Sequence, residues 1–524
     1  MDHDPSDMTS PRPIGTVHLV GAGPGDPGLL TRRGAEVLAR ADVVVFDHLA
    51  NERLLDLAPA AALRIRAGKS VGHCFLTQDQ INAALADHAL AGRTVVRLKG
   101  GDPLVFGRGG EEAGYLRARG VPFEIVPGVT AGVGATAYAG IPVTSRGVSS
   151  AVAFVTGHQA PGLDFPDSPA RLDWHALAKF PGTLVFYMGV AHLADIARSL
   201  IDDGKAAETP AAVVESGATP WQRVVDGDLA TIADRAREAR VRPPALLVVG
   251  QVAAARERLA WFESRPLFGR RIVVTRPHGE EARRSAAALE AMGAEVLIAP
   301  TVEVLPVEDV GPLDAAIDGL DAYDWLVFTS ANGVRMFLER LLARGRDLRA
   351  LGRVKLATIG PTTADALGRY HLRADLIPPS FRSESLAEEL AKVAAGSRIL
   401  LARADRGRTI LQDELRTLAR VDQVAVYRNV DAETIPADVL GRVEGGTVDW
   451  ITLTSPAIAR RLHAVLSPEA RPRVGRDVKL ATISPVTTAA ARDLGWEVAA
   501  EATVHTWDGL VEALIAAHHG VAER

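Results

Sequence analysis

The stretches Val17–Thr31 (VHLVGAGPGDPGLLT) and Val95–Glu112 (VVRLKGGDPLVFGRGGEE) each read as a buried strand that stops abruptly in glycines and prolines. Such strand ends restrict the fold to a sheet whose edge meets a ligand with bare backbone, because glycine admits an approach that any side chain would block. In the first stretch Gly23, Gly25 and Gly28 satisfy G-x-G-x-x-G, and Asp47 closes the next apolar run, VVVFD, almost completing a dinucleotide fingerprint. Pro24 and Pro27, however, lie inside the turn, where they remove N–H donors and bias Gly23 and Asp26 toward extended backbone. A pyrophosphate at a helix N-terminus needs those donors. In the second stretch Gly100 and Gly101 again clear the backbone, and Asp102 offers an acceptor to a ribose hydroxyl or an amine. A nucleoside without phosphates fits this pair of turns better than a dinucleotide does.

Apolar runs of strand length alternate with Ala-, Leu- and Arg-rich helical stretches, the rhythm of an α/β protein. The 524 residues allow several domains, and a hydrophobic content of 47% is ample for their cores. A net charge of -5 without long basic runs argues against nucleic acid as a partner. The single cysteine, Cys74, excludes an intramolecular disulfide and a multi-cysteine metal site, in keeping with a reducing cytoplasm. No metal is expected. Residues 1–13, polar and proline-broken, read as a disordered tail without a signal-peptide core, and no apolar run approaches membrane-spanning length. The rhythm breaks at Ala254–Arg271, where Pro266 and Gly269 precede a fresh strand; the main boundary is expected near Arg265.

Beyond that boundary the chain repeats itself. DWLVFTSANGV at Asp324 answers DWITLTSPAIA at Asp449 with an offset of 125, VKLATIGPTTADAL at Val354 answers VKLATISPVTTAAA at Val478 with 124, and RIVVTR at Arg271 answers RILLAR at Arg398 with 127. A period above a hundred residues means whole lobes rather than solenoid units. Each copy ends a buried strand in Thr-Ser or in Gly/Ser-Pro-x-Thr, leaving hydroxyls and free amides at a helix N-terminus, a device suited to anions.

The two glycine-rich blocks occur with VPGVTAGVGATAYAGIPVTSR from Val126, TLVFYMGV from Thr183, VVESGATPWQRVV from Val213 and PPALLVVGQV from Pro243. This ordered set, over about residues 14–262, resembles the tetrapyrrole methylase superfamily, specifically uroporphyrinogen-III C-methyltransferase. The resemblance implies a methyltransferase of residues 14–264, with α/β subdomains at about 14–140 and 141–262, and S-adenosylmethionine as its cofactor. On the family pattern, Asp47 takes the place of a proton acceptor and Lys69 that of a proton donor. Read from the residues alone, Asp47 could also cap the next helix, and Lys69 could be a solvated loop charge. The adenosylmethionine contacts implied are Pro24, Gly100, Gly101, Asp102, Val105, Thr130, Ala131, Met188, Gly217 and Ala245. Met188 could equally pack in a core, and Thr130 could serve as an N-cap. The chain departs from the family at His48, where arginine is common, and at Thr144-Ser145-Arg146, where Thr-His-Arg is common.

Residues 265–524 resemble uroporphyrinogen-III synthase, which implies a first lobe of about 269–303 plus 431–524 and a second of about 307–427. The family pattern points to Tyr427 as the group that helps a hydroxyl leave during ring closure, although an ordinary strand aromatic is also consistent with VAVYRNV. The polyanionic tetrapyrrole makes arginines near the clefts candidate carboxylate ligands: Arg97, Arg108 and Arg146 in the first half, and Arg276, Arg403, Arg406 and Arg408 in the second, any of which could instead be a solvated charge. Thr329, Ser330, Thr363, Thr454, Ser455 and Thr488 are candidates for the substrate's acetate and propionate groups. The combined expectation is a bifunctional enzyme that closes hydroxymethylbilane to uroporphyrinogen III and methylates it at C2 and C7 to precorrin-2, feeding sirohaem or cobalamin, as a homodimer through the methyltransferase half. Two competing readings are a nicotinamide oxidoreductase using the G-x-G-x-x-G turn and Asp47, and a two-lobed ligand-binding regulator in the second half.

Overall fold

The computed structural model describes residues 13–67, 76–159, 172–277, 279–406 and 410–522. The chain divides into two compact units, one running up to Arg270 and including Met292–Glu295, the other comprising Arg271–Ala291 and the residues from Val296 onward. The division falls slightly after the expected Arg265 because Phe262 and Leu267 are buried and the Phe262 ring lies 4.7 Å from Tyr138, which fastens this segment to the first unit. Among the described residues no helix is long and apolar enough to cross a membrane.

The first unit opens with strands β1 (Val17–Gly21), β2 (Val43–Asp47), β3 (Leu63–Ala67), β4 (Val95–Lys99) and β5 (Phe123–Val126). They form one parallel sheet in the order β3-β2-β4-β1-β5. Valine-rich β2 and β4 are buried along nearly their whole length, as strands covered on both faces must be. From β1 the chain crosses toward β2, and from β4 it crosses the other way toward β5, so the adjacent carboxyl ends of β1 and β4 mark the switch point where open α/β sheets bind ligands.

Strands β6 (Val152–Thr156), β7 (Thr183–Tyr187), β8 (Pro210–Glu215), β9 (Arg223–Asp228) and β10 (Ala245–Val249) build the second sheet in the order β6-β7-β10-β8-β9. Only β6 and β7 pair in parallel; β7-β10, β10-β8 and β8-β9 are antiparallel. The reason is local: Ser216–Gln222 links β8 to β9 with a hairpin loop too short for a helical crossover.

In the second unit, β11 (Arg271–Val274) and β12 (Glu295–Ile298) are followed by β13 (Val302–Leu305), β14 (Trp325–Phe328), β15 (Lys355–Thr358), β16 (Arg398–Ala404), β17 (Arg420–Asp431), β18 (Trp450–Leu453), β19 (Lys479–Thr482) and β20 (Ala500–Glu501). They make two sheets, β12-β11-β18-β19-β20 and β13-β17-β16-β14-β15. The sequence repeat appears here as geometry: β16-β14-β15 and β11-β18-β19 are the same three-strand core, with Trp325 opposite Lys355 in one and Trp450 opposite Lys479 in the other. Each lysine ammonium sits 5.4 Å from its tryptophan ring, and Asp324 and Asp449 each accept the backbone N–H that opens the neighbouring strand, from Arg398 and Arg271. The copies are permuted in sequence, since β16 follows β14 and β15 whereas β11 precedes β18 and β19 by more than a lobe. One lobe is thereby closed from both ends of the unit, and β13 pairs antiparallel with the long β17 where the chain passes between lobes.

Candidate active sites

At the switch point of the first unit the glycines meet one another. Gly23 and Gly101 exchange backbone hydrogen bonds of 3.2 and 2.8 Å just beyond β1 and β4. A Cβ on Gly128 would lie 2.3 Å from the Gly101 carbonyl oxygen, and one on Gly21 would lie 2.5 Å from Gly128 Cα, so three chain segments cross at distances that only glycine permits. Gly101, at φ +67°, differs: a Cβ there would reach only ordinary contact distance, 3.7 Å from Ala131 N and 3.8 Å from Thr130 Cα, and it is the left-handed backbone that favours glycine. Asp102 fixes this crossing, its carboxylate accepting from Leu104 N at 2.8 Å and Gly128 N at 3.0 Å. Pro24 packs on the helix Ala131–Tyr138, where a Cβ on Gly134 would come within 2.6 Å of its ring.

The second sheet supplies the facing wall. Tyr187, the last residue of β7, accepts a hydrogen bond from Gly132 N at 2.6 Å and lies 2.7 Å from the Thr130 hydroxyl. Thr130 therefore occupies the N-cap position while its side chain reaches across to Tyr187 instead of capping the helix. Burial pushes the Tyr187 phenol up, and Phe106 packs on its ring at 4.9 Å. Replacing Tyr187 with Phe leaves the Gly132 N–H buried without its acceptor, a cost of about 1–3 kcal/mol; a lowered thermal midpoint of the methyltransferase half is the expected readout. Leu104, Phe106 and Met188 are exposed, so Met188 is no core residue. Phe106, Arg108, Met188, Ser216 and Ala218 all have positive φ without being glycine, a concentration of backbone strain at the strand ends that surround the crevice. Gly217 packs tightly on Ala135, Thr219 reaches Gly25, Ala245 pairs with Glu215, and Val105 packs partly buried against the core that includes Tyr187.

Asp47 ends β2 with its carboxylate 27% exposed, held by Arg97 Nη2 at 2.5 Å. It does not cap a helix; Asn51 caps the following turn and also donates to Gly25 O at 2.9 Å. Lys69 lies outside the described residues. Arg97 corrects the expectation of a carboxylate ligand: at 2% exposure its guanidinium is bound to Asp47, Glu112 and the carbonyls of Val45 and Leu98, because β4 is the central strand and both its faces are covered. Arg108 and Arg146 are exposed, Arg108 paired with Glu111 at 2.6 Å.

In the second unit the repeat yields matched strand-to-helix junctions. Ser330 and Ser455 cap helices Ala331–Ala343 and Pro456–Val465, accepting from Gly333 N at 3.0 Å and Ile458 N at 3.2 Å, with Thr329 and Thr454 half-buried beside them. The Tyr427 hydroxyl, on β17, lies 2.9 Å from Ser330 Oγ. A register shift between Arg403 and Ala404 sets this part of β17, and burial pushes the phenol up, so it stays protonated. Arg276 is largely buried, paired with Glu281, bonded to Ser285 Oγ at 3.0 Å and 5.3 Å from the Trp507 ring. Burial holds its guanidinium below the usual range, with Glu281 opposing. Arg403 is buried, Arg406 is exposed beside Asp405 and Asp431, and Arg408 lies outside the described residues. Two hydroxyl expectations are corrected: Thr363 and Thr488 are buried in the first turns of their helices, and Thr488 pairs with Thr482 at 2.6 Å, because these positions face the sheet.

Sequence reasoning missed Tyr187, Phe106, Lys99 and Glu112. Tyr187 stood within a quoted motif, TLVFYMGV, but a terminal strand aromatic carries no local sign of a partner across a cleft.

A glycine-crossed crevice at a sheet's switch point, followed by a two-lobed permuted repeat, defines an α/β enzyme of two successive catalytic units. The family description "Tetrapyrrole (Corrin/Porphyrin) Methylases" matches residues 16–233, and "Uroporphyrinogen-III synthase HemD" matches residues 283–512. The porphyrin biosynthesis protein HemD of Ruminiclostridium josui is 35% identical over 514 residues, covering 96% of this chain and 98% of that protein. The uroporphyrinogen-III C-methyltransferase of Bacillus subtilis (strain 168) is 41% identical over 339 residues, 64% of this chain and 68% of that protein. A crystal structure of uroporphyrin-III C-methyltransferase from Thermus thermophilus complexed with S-adenosyl homocysteine is 41% identical, with a TM-score of 0.39, covering 46% of this chain and 99% of that one. The chain belongs to the porphyrin biosynthesis family in which a tetrapyrrole methylase is joined to a uroporphyrinogen-III synthase. It is a bifunctional enzyme: a uroporphyrinogen-III synthase and an S-adenosylmethionine-dependent uroporphyrinogen-III C-methyltransferase on one polypeptide.

Proposed function

We propose that the second half closes hydroxymethylbilane to uroporphyrinogen III and that the first half methylates this product at C2 and C7, giving precorrin-2. The observation that carries the methyltransferase reading is the pairing, at one sheet edge, of the side-chain-free Gly100–Gly101 turn with the partly exposed Asp47 carboxylate; a Cβ on Gly100 would meet Leu49, two residues past Asp47, at 2.9 Å. The residues present fit an adenosyl group: the Gly100–Gly101 turn presents backbone without side chains, the rim of Leu104, Phe106 and Met188 is apolar and exposed, and Pro24 and Pro27 withhold the donors a pyrophosphate requires. When bound, S-adenosylmethionine supplies an electrophilic methyl group on its sulfonium.

Pro24, Gly100, Gly101, Asp102, Val105, Thr130, Ala131, Met188, Gly217 and Ala245 would hold it beside an electron-rich pyrrole carbon of the substrate, and positioning of this kind would supply much of the rate. Transfer of that methyl to the pyrrole carbon would leave the macrocycle cationic. Asp47 takes the proton it sheds. Arg108 and Arg146 guide the acidic rim of the substrate. A homodimer through this half and a cytoplasmic setting follow the family resemblance.

In the second half, Tyr427 donates a hydrogen bond to the departing hydroxyl of the linear substrate, oriented by Ser330, while Arg276, Arg403, Thr329, Thr454 and Ser455 hold its acetates and propionates. Incubating the whole protein with hydroxymethylbilane and S-adenosylmethionine should give a dimethylated product by absorbance and mass. Tyr427→Phe should slow ring closure by about tenfold or more with methyl transfer to supplied uroporphyrinogen III unchanged; an unchanged closure rate would remove Tyr427 from the mechanism.

A further inference from the structure

Strand β4 carries Arg97 and Lys99 two residues apart, and so on one face of the sheet, at 2% and 3% side-chain exposure. Glu112, from the helix Gly109–Ala118, is 0% exposed and meets both: its Oε1 lies 3.2 Å from Arg97 Nε and 2.8 Å from Lys99 Nζ. Gln78 Nε2 adds a third donor to the same oxygen at 3.1 Å, while Glu112 Oε2 is buried without a partner among the described residues. Arg97 carries the set on to Asp47. These four groups bear two positive and two negative charges, and among them only Asp47 reaches solvent. The set is neutral only while Asp47 is ionised, and its protonation would strand a buried positive charge, which burial makes costly.

We propose that Lys99 and Glu112 are positioning residues of the methyltransferase that, through Arg97, fix the Asp47 carboxylate and set the pH at which it can accept a proton. The proposal rests on Asp47 being the proton acceptor. Burial, with Arg97, holds the Lys99 ammonium below the usual lysine range against the pull of Glu112. Among the described residues, Arg53 in the turn after β2, Asp102 after β4 and His88 on the helix Gln78–Leu90 are partly buried, whereas His48 next to Asp47, Arg66 on β3 paired with Glu52, Asp79 on that helix, and Arg108 paired with Glu111 are exposed. Solvent and salt screen the exposed charges far more than they screen the buried set.

The test uses the full chain with supplied uroporphyrinogen III and labelled S-adenosylmethionine, following kcat/KM for methyl transfer against pH. Lys99→Met removes a positive charge and should move the acid limb up by about one pH unit; Glu112→Gln removes a negative charge and should move it down by a similar amount. The double variant restores neutrality and should return the limb to its wild-type place, which keeps the idea testable where a single variant fails to fold. Limbs that stay fixed, or that move the same way in both single variants, overturn the proposal, as does a double variant displaced as far as either single one. Asp47→Asn separates this failure from that of the underlying reading: a wild-type rate in that variant removes the proton acceptor itself, whereas loss of its activity beside immobile limbs removes only the tuning.

Discussion

Replacing Asp47 with Asn is expected to lower methyl transfer by about 10²-fold or more while leaving ring closure by the same polypeptide intact. The substitution keeps the size of the side chain and the oxygen that accepts from Arg97 Nη2, so β2 should keep its place next to β4. It removes the carboxylate proposed to take a proton from the methylated macrocycle. Calorimetry should show S-adenosylmethionine binding nearly unchanged, because the proposed adenosyl contacts lie on the loops after β1, β4 and β5 and on the second sheet. Loss of binding together with rate would mean that Asp47 shapes the pocket rather than the chemistry. Loss of ring closure would mean that the roles of the two halves are reversed.

A comparably large loss is expected from Gly128→Ala, this time in binding. The added methyl would sit 2.3 Å from the Gly101 carbonyl oxygen and within 2.8 Å of Gly21 backbone atoms, and none of these neighbours is a side chain that can rotate away. Either the Gly23–Gly101 hydrogen bonds separate or the Asp102 link to Gly128 N breaks. Overpacking of this sort costs about 1–3 kcal/mol, and here it also displaces the floor of the proposed adenosyl site. Calorimetry should report S-adenosylmethionine affinity reduced by about tenfold or more, the binding equivalent of that cost. Wild-type affinity would show that the glycine crossing is scaffold alone. A matched substitution at Gly110, whose Cβ would have nothing within 4 Å, should leave affinity intact.

The glycine-rich turns were legible in the sequence because close backbone approach has only one residue-level solution, and Gly23, Gly100 and Gly101 stand in runs that announce it. The two-lobed second half was legible for a different reason: DWLVFTS and DWITLTS repeat not only a strand but the tryptophan and the aspartate that fix its register, so the repeat encoded pairing as well as periodicity. The antiparallel second sheet was less evident, since buried runs such as VVES and ALLVV look alike in either direction and only the Ser216–Gln222 hairpin decides between them.

Charges and hydroxyls resisted reading most. Arg97, Lys99 and Glu112 lie within VVRLKGGDPLVFGRGGEE, where a sequence reader places arginine against a ligand and lysine and glutamate in water. Thr363 and Thr488 look like exposed helix starts, yet both face their sheets. Tyr187 acquires its role from Thr130 and Gly132, more than fifty residues away. The sequence by itself determined where backbone must lie bare and which segments must pair, because those demands are met by residue type and spacing. Only the tertiary structure decided which ionic groups are withdrawn from water and which partners they find there, because desolvation and charge balance belong to the packed assembly of segments and to no single one of them.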